Sequence, residues 1–206
     1  MPVFDKFYVP KQLVVFKTII DNHVEHNKYM KEVILEHRQS KPESNTSNVK
    51  AWHSSWITHL ENPKFQPVVD MTESACNYIA SLHPLNSSDA IFQVTNLWAM
   101  MYEDGETTKR HAHFPCVFSA CYYVDVEPDC APIIFESIQN DGVNDHNLPL
   151  EIQPENGMLL IWGAAIKHMV LPTNGTRMAI SLNIEVPPIF IEDPSKLVLN
   201  NTEEMF

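Results

Sequence analysis

The 206-residue chain is 44% apolar and 19% charged, the size and composition of one globular domain, or of one domain with an N-terminal extension. Its 14 Lys+Arg against 26 Asp+Glu leave a formal net charge of −12, the wrong sign for a broad phosphate-binding surface, so nucleic acid is not an expected partner. The longest apolar stretch, Gly157 to Ile166, is about half the roughly 20 residues a membrane span needs, and Met1-Pro2-Val3-Phe4-Asp5 lacks the cationic start and apolar run of a secretory signal. A soluble, cytoplasmic protein without membrane contact is the expectation. Cys76, Cys116, Cys121 and Cys130 form no C-x-x-C pair, which excludes a thioredoxin-type motif or zinc knuckle and leaves reduced thiols.

Apolar residues at Leu13, Phe16, Ile20 and Val24, then Met30, Val33 and Ile34, recur at helical spacing and predict one long or two shorter helices over 11–38. The polar run Ser40 to Asn48 has the composition of a surface loop. Trp52, Trp56 and Leu60 at i, i+4, i+8, and Val69, Cys76, Ile79 and Leu82 after Pro67, predict two further helices. Residues 1–90 thus read as a mostly helical region packed on the remainder. From Ile91 the period changes to that of short strands, at 91–102, 117–126, 132–137, 149–153, 157–162, 167–172 and 177–187, with a tail over 191–206. Strands without intervening helices favour a barrel or sandwich, so the fold class is mainly β with N-terminal helices, in one structural domain. No G-x-S-x-G elbow, G-x-x-x-x-G-K loop or dinucleotide fingerprint is present, which removes the usual hydrolase and nucleotide readings.

Of the ten histidines, His23, His26, His37, His53, His59, His83 and His146 show no repeated metal spacing and read as surface or capping residues. His111-Ala112-His113 differs. Two residues apart on an extended chain point to one face, and the pair sits where the loop Glu103 to Arg110 enters the strand beginning at Val117. His168 lies 55 positions beyond His113, a separation an antiparallel barrel closes, and Arg177 opens a strand nine residues later. Alone, H-x-H is more often a solvated polar turn. Three clustered imidazoles, or two with a carboxylate from Asp104 or Asp125, leave open metal positions of the kind non-haem Fe(II) uses, and an arginine's cationic fork suits a carboxylate.

The ordered set Tyr102-Glu103-Asp104-Gly105, His111-Ala112-His113, Ser119-Ala120-Cys121-Tyr122-Tyr123-Val124, His168 and Arg177-Met178-Ala179-Ile180-Ser181-Leu182-Asn183 resembles the 2-oxoglutarate/Fe(II)-dependent oxygenases. Within them it resembles bacterial and phage members that share H-x-H, and is similar to the prolyl hydroxylases. The resemblance covers about residues 91–187. It implies a double-stranded β-helix, a cupin-like jelly-roll, with the metal held by His111, His113 and His168. It also implies Fe(II), 2-oxoglutarate and O2 as cofactor and co-substrates, with Arg177 on the distal carboxylate, Tyr123 sharing it and Tyr102 assisting. No catalytic residue beyond the metal ligands is implied. Strand alternation puts Ser181 and Asn183 on the face of Arg177, and Asn96 beside Trp98 on the first strand; Asn96 and Ser181 are further cofactor-binding candidates.

The reading that follows is a 2-oxoglutarate- and Fe(II)-dependent dioxygenase that hydroxylates a small-molecule or peptidyl substrate with release of succinate and CO2. Position 113 departs from the H-x-D/E pattern of the wider superfamily, and an imidazole there does not lower the charge on the metal. Two alternatives stay open: a three-His cupin-type dioxygenase that uses no 2-oxoglutarate, and a non-catalytic jelly-roll module that binds a carboxylate. Trp98, Trp162 and Phe135 read as barrel core, 40–50 and 138–149 as rims of the site, and a homodimer is left open.

Overall fold

The computed structural model describes residues 5–9, 13–41, 48–82, 91–136 and 149–187. In chain order they form β1 (Asp5–Val9), β2 (Leu13–Ile19), α1 (His23–Ser40), β3 (Val49–Lys50), β4 (Trp52–His53), α2 (Thr58–Glu61), α3 (Gln66–Ser81), β5 (Gln93–Tyr102), β6 (Thr107–His111), β7 (Phe118–Val126), β8 (Ile133–Phe135), β9 (Leu150–Ile152), β10 (Met158–Gly163), β11 (His168–Val170) and β12 (Arg177–Glu185). A seven-stranded sheet of order β1-β2-β10-β7-β12-β5-β4 faces a five-stranded sheet of order β3-β6-β11-β8-β9. Every strand pairing within them is antiparallel, and the two sheets form the jelly-roll. Among the described residues no helix is long and apolar enough to cross a membrane.

Period-two alternation divides the large sheet into two faces. Leu97, Ala99, Ala120, Tyr122, Leu159, Ile161, Ile180 and Leu182 point outward, where Met30, Val33 and Ile34 of α1 and Val68, Val69, Cys76 and Ile79 of α3 cover them in one core. Cys121, Tyr123, Met158, Leu160, Trp162 and Ala179 point inward, against Ile133, Phe135 and Ile152 of the small sheet. Burial at about 1.5–3 kcal/mol per large apolar side chain makes both faces stabilising. The central strands are covered on both sides, so β10 reads Met-Leu-Leu-Ile-Trp without a break.

The same double burial misleads the sequence reading of 11–38. Leu13–Ile19 is a strand, in register with β10 through Val15↔Trp162 and Phe16↔Ile161; Val15 joins the inner core while Phe16 packs on the outer one. Only His23–Ser40 is helical. The Trp52–Leu60 periodicity is likewise not a helix: Trp52–His53 pairs with β5, the Trp56 carbonyl accepts from Leu97 N, and α2 begins at Thr58. Thr107–His111, read as loop, is the strand β6; its Thr-Thr-Lys-Arg-His run offers no apolar alternation to read. Residues 1–90 therefore contribute strands to both sheets as well as helices. The predicted helix after Pro67 is α3, and the seven predicted strands after residue 91 are β5 and β7–β12. His53 and His37, expected at the surface, are buried. His83, His146, the tail 191–206 and most of the predicted rims lie outside the described residues.

Candidate active site

His111 ends β6 and His168 opens β11, and the register pairs them directly. Two residues on, His113 is anchored by its amide, which donates to the Ala164 carbonyl at 2.8 Å beyond the end of β10. Residues 55 apart in sequence thereby meet. Ring centroids are 4.4 Å apart for His111–His168, 4.8 Å for His111–His113 and 5.2 Å for His113–His168, and one ligand nitrogen from each lies within 4.8 Å of the others. The Nδ1 atoms of His111 and His168 donate to the carbonyls of Lys109 (2.8 Å) and Ile166 (3.1 Å). That contact fixes the Nδ1–H tautomer and leaves the Nε2 lone pair for a metal.

Burial keeps all three rings neutral, the form a ligand needs. It lowers the pKa of His111 and takes His113 down to about 4, with His111 adding to the effect. His168 lies well below its ordinary value through burial and then the positive potential of its two neighbours. Three neutral nitrogen donors, two of them oriented by backbone carbonyls, fit a borderline metal ion and leave further positions open. Asp104 and Asp125 contribute nothing to the cluster: Asp104 accepts from Gly175 N, and Asp125 pairs with Lys31.

The same pocket is lined by Tyr102, Cys121, Trp162, Arg177 and Ser181 together with the triad. Arg177 is 2% exposed. Its Nη1 donates to the Ala131 carbonyl (2.9 Å) and its Nη2 to the Tyr123 hydroxyl (3.0 Å). The guanidinium lies over the rings of Tyr123 (5.0 Å) and Tyr102 (5.4 Å), whose hydroxyls burial holds in the neutral form. Tyr102 is itself pinned by Thr108 Oγ1 at 2.6 Å. Among the described residues no carboxylate pairs with Arg177, and its Nε has no partner. A buried, orphaned cation of this kind is costly unless a ligand anion completes it.

Tyr102 and Tyr123 thus converge on Arg177, and Ser181 lines the same pocket four residues along β12. Asn96 does not: it lies six residues along β5 from Tyr102, about 20 Å at strand rise, and accepts from Asn183 Nδ2 at 3.4 Å. Trp98 and Trp162, read as core, are buried and also line the pocket. The sequence reading missed the wall supplied by Asn48, Val49 and Trp56. Trp56 stands against Trp98 at 4.5 Å and His53 at 4.7 Å, and the only signal for it was a periodicity that pointed to a helix.

A jelly-roll with an imidazole triad and a buried arginine in one pocket is an arrangement suited to a mononuclear metal site beside a bound carboxylate. Residues 96–184 match the sequence profile of the family described as "Putative 2OG-Fe(II) oxygenase". No curated protein sequence matches the chain. Among solved structures, it is similar to a prolyl hydroxylase from Trichoplax adhaerens, captured with a hypoxia inducible factor oxygen degradation domain peptide fragment, at 16% identity and TM-score 0.60 over 82% of this chain and 83% of that one. It is also similar to a Pseudomonas putida prolyl-4-hydroxylase (14%, TM-score 0.61, 84% and 93%). A third is the alpha ketoglutarate dependent epimerase SnoN from nogalamycin biosynthesis (13%, TM-score 0.62, 84% and 77%). At these identities the structures show the shared fold. With the profile match and the triad, residues 96–184 resemble the 2-oxoglutarate/Fe(II)-dependent oxygenases, in an H-x-H form, a family that implies Fe(II), 2-oxoglutarate and O2.

Proposed function

We propose that the protein is a 2-oxoglutarate- and Fe(II)-dependent dioxygenase that hydroxylates a small-molecule or peptidyl acceptor. The observation that carries this reading is Arg177, a buried cation with no anion paired to it among the described residues, lining the pocket that the three histidines share. When bound, the metal and 2-oxoglutarate supply the oxidising chemistry: O2 is reduced, the keto acid becomes succinate and CO2, and one oxygen atom enters a C–H bond of the acceptor.

The chain's own residues bind, orient and exclude water. His111, His113 and His168 would hold the metal through ring nitrogens, the rings of His111 and His168 fixed by backbone contacts and His113 placed by its main-chain amide. Arg177 binds the distal carboxylate, and Tyr123 holds the guanidinium and shares that carboxylate. Tyr102 and Ser181 shape the slot. Three neutral ligands leave the ion's two positive charges uncompensated, and Arg177 adds a third, so the loaded pocket favours a dianion. That preference supports a keto diacid over a monoanionic co-substrate and offsets the missing ligand carboxylate. A three-His dioxygenase without 2-oxoglutarate rests on the imidazole at position 113 alone, whereas the buried arginine and the profile match support the first reading.

Succinate formation from 2-oxoglutarate tests it. The expected result is turnover that requires Fe(II) and is lost in Arg177→Ala; undiminished turnover in that variant removes the co-substrate assignment.

A further inference from the structure

The two ends of the pocket differ in exposure. Toward Arg177 the lining runs through Tyr102, which lies against the guanidinium, Thr108, which bonds Tyr102, and Val170, which pairs with Thr108 and Ile133. All of these are buried, so that end is closed. At the other end His111 and His113 are half-buried, as is Asn48, and Trp56 is 39% exposed. The Asn48 carbonyl accepts from Lys109 N at 2.7 Å, two residues before His111, and the Trp98 ring bridges from Trp56 (4.5 Å) to His113 (5.6 Å). Among the described residues the pocket therefore opens between Asn48, Trp56 and the two histidines.

Trp56 is fixed from behind. Its carbonyl accepts from Leu97 N at 3.0 Å, and its ring meets those of Trp98 and of His53 (4.7 Å), with His53 fully buried and stacked on Trp98. Packing accounts for one side of the indole and leaves the rest uncovered at the mouth of the pocket that holds the triad. A large aromatic surface held in place in this way binds with little ordering cost. Of the described lining residues only Arg177 is charged, and it stands at the closed end. An ionic group of either sign that settled against Trp56 would give up its water with no counter-charge beside it.

We infer that Trp56, backed by Trp98, is the specificity-determining wall of the acceptor subsite, and that the acceptor presents an uncharged aliphatic group to it. The indole takes the C–H surface of that group and holds it on the open side of the triad, away from the end where Arg177 takes the co-substrate. That the held group is oxygenated rests on the function proposed above; its binding against Trp56 does not.

Saturation-transfer NMR tests it on protein loaded with zinc(II), a diamagnetic and redox-inert ion, with and without 2-oxoglutarate. The probes are N-acetyl-leucine amide and its lysine and glutamate counterparts, which share a backbone and differ in side-chain charge. The leucine probe is expected to bind at millimolar concentration, about ten-fold tighter than either ionic probe. Trp56→Ala should weaken it about ten-fold with 2-oxoglutarate affinity kept within about two-fold, and Trp56→Phe, which restores an aromatic face, should return it to within about three-fold of wild type. Circular dichroism and the thermal midpoint show that each variant is folded. No binding of the leucine probe overturns the inference, as does equal binding of an ionic probe or unchanged binding in Trp56→Ala. A folded Trp56→Ala that loses 2-oxoglutarate as well makes Trp56 a support of the whole pocket and overturns it too. A wild type that binds the leucine probe but not 2-oxoglutarate instead sinks the oxygenase reading and leaves the aliphatic site standing.

Discussion

Tyr123 and His53 show two ways a single buried side chain acts on this molecule. Tyr123 offers its hydroxyl to Arg177 Nη2, and Tyr123→Phe removes that acceptor while keeping the ring under the guanidinium. Arg177 stays tethered by Ala131, so affinity for 2-oxoglutarate is expected to fall about ten-fold, the size of one charge-assisted hydrogen bond, with metal affinity retained; calorimetric titration of both ligands checks this. His53 lies fully buried between Trp56 and Trp98, and burial takes its pKa from 6.5 to about 4 against the opposing bond to the Ser54 carbonyl. Since the unfolded chain binds the extra proton first, the stability His53 contributes is fully present above pH 6.5 and is lost as pH falls toward 4. The loss is on the order of 3 kcal/mol. Urea unfolding across that window should show stability declining with acid, and His53→Leu should reduce the slope by about one proton; an unchanged slope contradicts the assignment. At this scale the sequence was most informative, because H-x-H, the spacing to His168 and the arginine nine residues on are close-range patterns. Little that is local marks His53 as buried, since half its cover comes from Trp98, 45 positions away.

Among the elements, the turn into β10 is the most constrained. Gly157 has φ +81°, its amide donates to the Tyr123 carbonyl at 2.8 Å, and a Cβ there meets His23 Cβ at 2.3 Å. Gly157→Ala combines left-handed strain with a clash against the start of α1 and is expected to cost about 2 kcal/mol or more. Thermal unfolding should report a midpoint several degrees lower; a midpoint at or above wild type contradicts the packing described. What could be read of the elements follows the same physics. The strands β7, β10 and β12 were legible because β-branched and aromatic runs bounded by turn residues have few other solutions. β2 was misread because both its faces are covered, which replaces alternation with a continuous apolar run that helical spacing also fits. β6 was invisible because its side chains are largely polar, and only its pairing with β3 and β11 makes it a strand.

In the whole molecule, the two sheets divide the chemistry. The small sheet presents His111 and His168, the large sheet presents Arg177 and Tyr123, and the segment after β3 closes the side with Trp56. Residues 96–184 carry the histidine triad, Arg177 and Tyr123, which is why their order alone pointed to the family. The wall from residues 48–56 depends on register, which no linear spacing encodes. A diacid bridging the metal on one sheet and the arginine on the other is the central claim, so its binding must require both. Anaerobic calorimetric titration of 2-oxoglutarate into the Fe(II)-loaded protein tests this most directly. Saturable one-to-one binding that disappears when either the metal is withheld or Arg177 is replaced by leucine is the predicted result; binding that persists without one of them, or is absent with both, contradicts it.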